Sequence, residues 1–355
     1  MSKAIRIVGG GLAVAAIVGV TALNQRPGAS VAEAAQPEDH GGHVMTASAH
    51  IEHMAAAGDI HANHALDEMR WALLQSQAAP ANRALPADDM GVAARLAQSR
   101  GEFVTIDVNG TSMRTWVVRP AGTGPAPVVV VIQEIFGLSD WIRGVADQLA
   151  AEGFIAVAPD LLAGHGPNGG DTASFGGQQE IMKAVLSLQR PEIMARLKAA
   201  RDWGLAQPRA NGKSGSVGFC FGGSQSFALA VDDPSLDAAV VYYGDAPTDV
   251  PPAPRGRGAG GQGAAPAFVP SDSLARIQAP ILGLYGGLDQ DARIGRTIAP
   301  TEARMRALGK TYESHIFEGA AHGFLRAQTG NDGANMKATQ QAWPLTVAWL
   351  KKYTS

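Results

Sequence analysis

The spacing of apolar and polar positions changes along the chain, and these changes predict a series of strands and helices. The segments EFVTIDV and SMRTWVVRP lie on either side of Asn109-Gly110, a turn sequence typical of a two-stranded hairpin. The run PVVVVIQEI is almost wholly apolar, as in a strand buried on both faces of a sheet. The next segment, SDWIRGVADQLAAEG, has apolar positions at helical spacing and ends at Gly153, which predicts an amphipathic helix.

The same alternation continues to the C-terminus. Strands are predicted at FIAVAPDLL, GSVGFC, DAAVVYYG, PILGLYGG and YESHIFEG. Helices are predicted at EIMKAVLSLQRPEIMARLKAARDWGLAQ, GGSQSFALAV, TEARMRALG and TQQAWPLTVAWLKKY, and Pro191 either breaks the first of these or opens a second helix. Strands that alternate with helices predict an α/β fold with a doubly wound, mostly parallel sheet.

One segment interrupts this pattern. Residues 247–270 are rich in proline and glycine and predict a surface insertion. Such a segment can be a passive loop or a mobile lid, and we favour the passive loop.

Residues 1–34 have the layout of a targeting segment. Lys3 and Arg6 precede the apolar run Ile7–Leu23, and Ala32-Glu33-Ala34 offers a small-residue cleavage site. The run is short for a membrane-spanning helix, which needs about 20 apolar residues. We therefore predict a cleaved secretory signal, with an uncleaved N-terminal anchor as the alternative. Either would place the rest of the chain outside the cytoplasm, in the periplasm or secreted.

The overall charge of the chain bears on its partners. It has 29 Lys and Arg against 32 Asp and Glu, a formal net charge of −3. This balance gives no reason to predict nucleic-acid binding or a basic membrane-binding surface. Contact with a membrane is expected only through the possible N-terminal anchor.

Residues 35–100 are predicted to form a histidine-rich, partly helical extension and a linker. Their H-x-x-H pairs include His50 with His53 and His61 with His64, and imidazoles at this spacing can share a zinc, copper or nickel ion. No carboxylate or cysteine accompanies the pairs in a catalytic zinc pattern. A solvated tether between the membrane and the remaining domain, residues 101–355, is the alternative.

The sequence contains a single cysteine, so no disulfide can form within the chain. Cys220 lies in GFCFG, between a predicted strand and a predicted helix, which matches the G-x-S-x-G nucleophile elbow with sulfur in place of the serine oxygen. A helix that points its N-terminus at the thiol favours a thiolate. The backbone N–H of Phe221 is then positioned to bind an oxyanion. A buried structural cysteine is the alternative.

A nucleophile of this kind needs a base and an acid, which follow it along the chain in this fold. After Cys220 only His315 and His322 remain, and His322 is preferred because it follows a strand instead of lying within one. Asp289, directly after an apolar strand, is the preferred acid. Asp291 and Asp245 are its competitors.

Glu134 stands out for a separate reason. A carboxylate at the end of a continuous apolar strand loses several kcal/mol of solvation unless it is paired or protonated. Close to a thiol it would either disfavour the thiolate or take up the thiol proton. A solvated glutamate at the strand end is the alternative.

The segment VIQEIFGLSDWIRGVADQLAAEGFIAVAPDLL, followed by GFCFGG, GGLDQD and AHGFL, resembles the dienelactone hydrolases over roughly residues 102–353. The resemblance implies an α/β-hydrolase fold with Cys220 as nucleophile, His322 as base and Asp289 as acid. The resemblance further implies that Glu134 governs ionisation of the resting thiol. It also implies that the N–H groups of Ile135 and Phe221 form the oxyanion hole and that Arg326 contacts a substrate carboxylate.

The chain departs from the family at a second substrate-binding arginine, since no arginine occurs from Gly144 through Gln189. Gln178 and Gln179 occupy about the expected place, so the carboxylate clamp is expected to be incomplete. The resulting prediction is an exported hydrolase of a small lactone or ester that needs no cofactor. The alternatives are an exported metal-binding protein with an inactive hydrolase domain and, with less support, a redox thiol protein.

Overall fold

The apolar runs of the sequence form one eight-stranded sheet in the computed structural model, which describes residues 84–249, 268–289 and 292–355. The strand order is β1-β2-β4-β3-β5-β6-β7-β8, and only β2 runs against the other strands. The strands are β1 Glu102–Val108, β2 Thr111–Val118, β3 Ala126–Ile132, β4 Ile155–Pro159, β5 Ala210–Phe219, β6 Ala238–Tyr242, β7 Ile281–Gly286 and β8 Tyr312–Phe317. The predicted α/β fold with a mostly parallel sheet is confirmed.

The first two strands form the predicted hairpin. Val108 pairs with Thr111, and the two residues between them have positive φ, 53° at Asn109 and 83° at Gly110. Positive φ at both central residues is the requirement of a type I′ turn, whose twist suits a two-stranded ribbon. The Asn-Gly pair thus fixes the register of β1 on β2.

Helices precede the first strand, fill most of the connections between the parallel strands and end the chain. They are α1 Val92–Leu96, α2 Asp140–Ala151, α3 Gln178–Ser187, α4 Arg190–Leu205, α5 Phe221–Asp232, α6 Ala292–Ala307 and α7 Ala334–Thr354. Pro191 lies in the first turn of α4, so it opens a second helix, where its missing N–H costs nothing. The side chain of Ser139 caps α2 by accepting the N–H of Ile142.

The core forms on both faces of the central strand, β3. Residues Val128–Ile132 have no exposed surface, as the unbroken apolar run predicts. Val129 and Val131 pack with residues of α2 and α7, whereas Val130 and Ile132 pack with residues of α4 and α5. The alternation of strand side chains therefore divides one run between two helical layers.

The described part of the predicted extension, residues 84–100, packs on the domain that follows it. Carbonyl oxygens of this segment accept hydrogen bonds from Trp141 Nε1 (3.1 Å, to Ala87) and Gln148 Nε2 (2.8 Å, to Ala84). The rest of the extension, with residues 1–34, His50, His53, His61 and His64, lies outside the described residues. Of the predicted insertion, residues 250–267 do so as well. Within the described ranges, no helix combines the length and the apolar character that a membrane crossing needs.

Candidate active site

Cys220 occupies the sharp turn between β5 and α5. Its backbone adopts φ 56° and ψ −116°, a strained conformation for a non-glycine residue, and its N–H donates to the carbonyl of Tyr242 at 3.0 Å. The flanking glycines allow the turn to close: a Cβ on Gly218 would lie 1.9 Å from the carbonyl oxygen of Gly222. One on Gly222 would lie 2.3 Å from the carbonyl oxygen of Ile132. The G-x-C-x-G spacing is thus required by close backbone contacts.

Asp289 and His322 meet at the carboxyl end of the sheet. Asp289 follows β7, His322 lies in the loop after β8, and Asp289 Oδ2 is 2.8 Å from His322 Nδ1. The aspartate side chain is 3% exposed, whereas the imidazole that it orients is 36% exposed. Asp291 lies outside the described residues, and Asp245 follows β6 with its N–H bonded to Ser224 Oγ at 2.8 Å.

The surroundings of His322 favour its protonated form. Burial of the ring lowers its pKa, but hydrogen bonds with the Asp289 and Cys220 side chains, together with their negative charge, outweigh burial and raise the pKa to about 10. The imidazole also packs on the ring of Tyr243, with 4.9 Å between ring centroids. His322 therefore interacts with both Cys220 and Asp289, which is the grouping that the sequence predicts.

Glu134 lies just after β3 and is 2% exposed. Burial raises the pKa of its carboxyl to about 7, while the positive charges of Arg326 and His322 oppose this shift and the negative charge of Asp89 adds to it. Its Oε2 lies 3.2 Å from Arg326 Nε. The carboxyl is therefore buried and paired, and it can hold a proton near neutral pH.

Arg326 contacts two carboxylates and an aromatic ring. Besides Glu134, its Nη1 donates to Asp89 Oδ2 at 2.7 Å, and its guanidinium carbon lies 4.7 Å from the centroid of the Phe136 ring. Arg326 is not among the described residues that line the cavity beside Cys220. Its predicted contact with a substrate carboxylate stays a prediction.

A cavity of about 420 Å³ opens beside the thiol. Cys220, His322, Ile135 and Phe221 line it, so both predicted oxyanion-hole residues lie at the same cavity as the sulfur. Phe221 is the first residue of α5, where backbone N–H groups have no partner within the helix. The remaining wall is partly apolar and partly polar; it includes Leu186, Leu188, Ile193, Arg190, Gln225 and Asp245.

Two residues of this cavity were missed by sequence reasoning. Arg190 directly follows the stretch without arginine; it lines the cavity and also contacts Asp232 Oδ2 at 3.1 Å. Tyr243 is the second-last residue of the predicted strand DAAVVYYG, and the structure gives it a φ of 41° and a fully buried side chain. The sequence signals for them are an arginine one position after the arginine-free stretch Gly144–Gln189 and a tyrosine near the carboxyl end of a central strand. Gln178 and Gln179 are exposed on α3.

This fold, with a sharp strand-to-helix turn at Cys220 and a His–Asp pair at the carboxyl ends of its strands, is that of an α/β-hydrolase. The family model "Dienelactone hydrolase family" matches residues 113–354, and the chain belongs to this family. The predicted resemblance is therefore confirmed. The family and its relatives make the chain an enzyme of the lactone and ester hydrolase class.

The relatives carry names from this chemistry. "Putative carboxymethylenebutenolidase" of Methylorubrum extorquens is 32% identical over 243 residues, which cover 66% of this chain and 75% of that protein. "Probable 2-oxo-3-(5-oxofuran-2-ylidene)propanoate lactonase" of a Bradyrhizobium species is 31% identical over 257 residues, which cover 70% of this chain and 93% of that protein. A crystal structure of "Putative Dienelactone Hydrolase" from Klebsiella pneumoniae has a TM-score of 0.58 and 27% identity, covering 71% of this chain and 98% of its own.

Proposed function

We propose that this chain is an exported hydrolase that cleaves a small lactone or ester through a covalent intermediate on Cys220. The observation that supports this most is one cavity in which Cys220 lies beside His322, whose other ring nitrogen is bonded to Asp289. This is the relation of nucleophile, base and orienting acid that acyl transfer requires. The names of the relatives support lactones as the substrate class.

In the proposed reaction, the substrate carbonyl oxygen accepts hydrogen bonds from the N–H groups of Ile135 and Phe221. Cys220 Sγ bonds to the carbonyl carbon, and the carbonyl electron pair moves to the oxygen. When that pair returns, the C–O bond to the leaving group breaks, and His322 gives the leaving oxygen its proton. The sulfur is then bonded to the acyl group as a thioester.

Water completes the cycle. His322 takes a proton from a water molecule, which attacks the thioester carbon and displaces Cys220 as thiolate. Asp289 keeps the imidazole oriented in both halves of the reaction. The products are a carboxylic acid and an alcohol, which are joined in one molecule when the substrate is a lactone. The reaction as proposed needs no cofactor.

The role proposed for Glu134 is control of the resting thiol. A buried carboxyl that holds a proton near neutral pH can exchange that proton with a neighbouring thiol–imidazole pair when the local charge changes. The proximity of Glu134 to His322, which is close enough for the histidine charge to act on its pKa, supports this role. Substrate entry would displace the carboxyl and leave the thiolate free to react.

Export is proposed from residues 1–34 alone, and their basic start, apolar run and Ala32-Glu33-Ala34 site support it. Cell fractionation and the intact mass of the mature protein test this part. An intact mass that corresponds to a chain starting after Ala34 supports a cleaved signal. Full-length protein in the cytoplasmic fraction contradicts export.

Hydrolysis of a dienelactone and of a short p-nitrophenyl ester by the wild type and Cys220→Ala tests the chemistry. The variant is expected to lose turnover on both substrates and to unfold at the wild-type temperature, because Cys220 is only partly buried. Mass spectrometry of the wild type, quenched during turnover, should detect a protein heavier by the acyl group. Undiminished turnover by Cys220→Ala would refute the cysteine mechanism and leave the class of enzyme in place.

A further inference from the structure

A carboxylate from outside the family-matched region reaches the candidate active site. Asp89 precedes residues 113–354, yet its Oδ2 lies 2.7 Å from Arg326 Nη1. The same guanidinium has its Nε 3.2 Å from Glu134 Oε2. Arg326 is thus placed between two carboxylates, one 48% exposed and the other 3% exposed.

Asp89 is held there by contacts on both sides of it in the chain. Its own N–H donates to the carbonyl of Arg326 at 3.3 Å, and the carbonyl of Pro86 accepts from Gln328 Nε2 at 2.8 Å. On the other side, Val92 is 7% exposed and packs so closely on α2 that a Cβ on Gly144 would lie 2.6 Å from its Cγ2. Because main-chain groups make several of these contacts, the position of the Asp89 carboxylate is set by the docked segment.

The charges around Glu134 make this position consequential. Two cationic groups from the loop after β8 face it, Arg326 and the His322 imidazole, and Asp89 is the acidic group that faces it from the N-terminal segment. Cys220 and Tyr243 are the other titratable groups of this cluster. The positive charge of Arg326 stabilises ionised Glu134, whereas the negative charge of Asp89 destabilises it. Arg326 therefore stabilises the Glu134 carboxylate less when it is shared with Asp89 than when it faces Glu134 alone.

We propose that Asp89 is a positioning residue of this active site, which shares the Arg326 guanidinium with Glu134 and in this way sets the charge state of Glu134. Residues 84–100 then contribute to the active site instead of serving only as a linker that leads to it. This inference rests on the proposed function only for its effect on catalysis, since the link from Asp89 to Glu134 through Arg326 can be measured without turnover.

The test replaces the carboxylate by an amide of the same shape, in Asp89→Asn. Asp88→Asn is the matched control, because it removes one charge at the neighbouring position and keeps an oxygen that can accept the N–H of Gly91. Free energies of unfolding are measured from pH 4 to 8 for the wild type, Asp89→Asn, Asp88→Asn and Asp89→Glu, each with and without Glu134→Gln. For each background, the free energy of unfolding with Glu134 minus that with Glu134→Gln is plotted against pH. This difference isolates the pH dependence that comes from ionisation of Glu134.

We expect the pH at which Glu134 ionises to fall by roughly 0.5–1 unit in Asp89→Asn, the direction that follows when one cation is no longer shared. Asp88→Asn should leave the pH of Glu134 ionisation unchanged, and Asp89→Glu should bring it close to the wild-type value. The limb of the pH–rate profile that Glu134 controls should move by the same amount. An effect of Asp89→Asn that is equal with and without Glu134 would overturn the proposal, because it would show a structural role only. If the wild type has no turnover on any ester, the proposed function fails while the unfolding measurements still decide this inference.

Discussion

Replacing Glu134 by glutamine should change how the stability of the protein depends on pH. Glu134 is 2% exposed, and burial raises the pKa of its carboxyl from 4.5 to about 7. Between these two values the folded protein keeps a proton that the unfolded chain has released. Stability therefore falls as pH rises through this window, because the folded state binds more protons than the unfolded state. Glutamine does not titrate, so the variant lacks this loss.

The magnitude follows from the difference between the two pKa values. Each unit corresponds to about 1.4 kcal/mol, so a carboxyl that ionises at about pH 7 instead of 4.5 reduces stability by roughly 3 kcal/mol at pH 8. That is a large part of the 5–15 kcal/mol typical of a folded domain. The free energy of unfolding of Glu134→Gln minus that of the wild type should therefore rise by about 3 kcal/mol from pH 4 to pH 8. A constant packing effect of the amide cancels in this comparison.

Urea unfolding followed by tryptophan fluorescence at a series of pH values gives the required free energies. Glu102→Gln serves as the control, because this carboxylate on β1 is 57% exposed and its ion pair with Arg119 lies at the surface. A difference between Glu134→Gln and wild type that stays flat or falls with pH would refute the reasoning. It would mean that the ion pair with Arg326 outweighs burial and keeps Glu134 ionised.

Three further changes test separate parts of the site. Asp289→Asn should lower the raised pKa of His322 and reduce kcat by about 100-fold or more, since it removes the partner that orients the imidazole. NMR titration measures the pKa, and an unchanged value would show that Asp289 does not raise it. Gly222→Ala should destabilise the fold by at least about 2 kcal/mol, because its Cβ would lie 2.3 Å and 2.4 Å from two carbonyl oxygens near the end of β3. Its control, Gly295→Ala in α6, has open space and should stabilise by about 0.5–1 kcal/mol; equal effects in thermal unfolding would contradict the packing argument. Tyr243→Phe should stabilise the protein by about 1 kcal/mol, because no described residue hydrogen-bonds the buried hydroxyl; a loss of stability would reveal a partner.

Much of the fold could be predicted because local sequence decided it. The Asn109-Gly110 pair set the hairpin turn, and the apolar run of β3 marked the strand that is covered on both faces. Pro191 opened α4 because its ring fits the first turn of a helix. In each case a short stretch of chain had one conformation that suited its side chains, whatever lay beyond it.

Part of the site was also within reach of the sequence. Parallel strands bring their carboxyl ends to the same edge of the sheet, so residues in the turns and loops that follow β5, β7 and β8 lie near one another. Cys220, Asp289 and His322 are such residues, and the expected hydrogen bond between the last two is present. Topology alone was enough to bring this group together.

The sequence by itself thus determined most of the elements from β1 onward, their order and the three side chains at the carboxyl edge of the sheet, because short-range preferences and strand direction settle these features. Only the tertiary structure decided what surrounds that group. Asp89 is distant from Arg326 in the chain, and its segment has no periodic pattern that would predict where it docks. Arg190 reaches the cavity because of where α4 begins. Burial and shared charges, which set the proton affinity of Glu134, exist only once these distant segments have packed together.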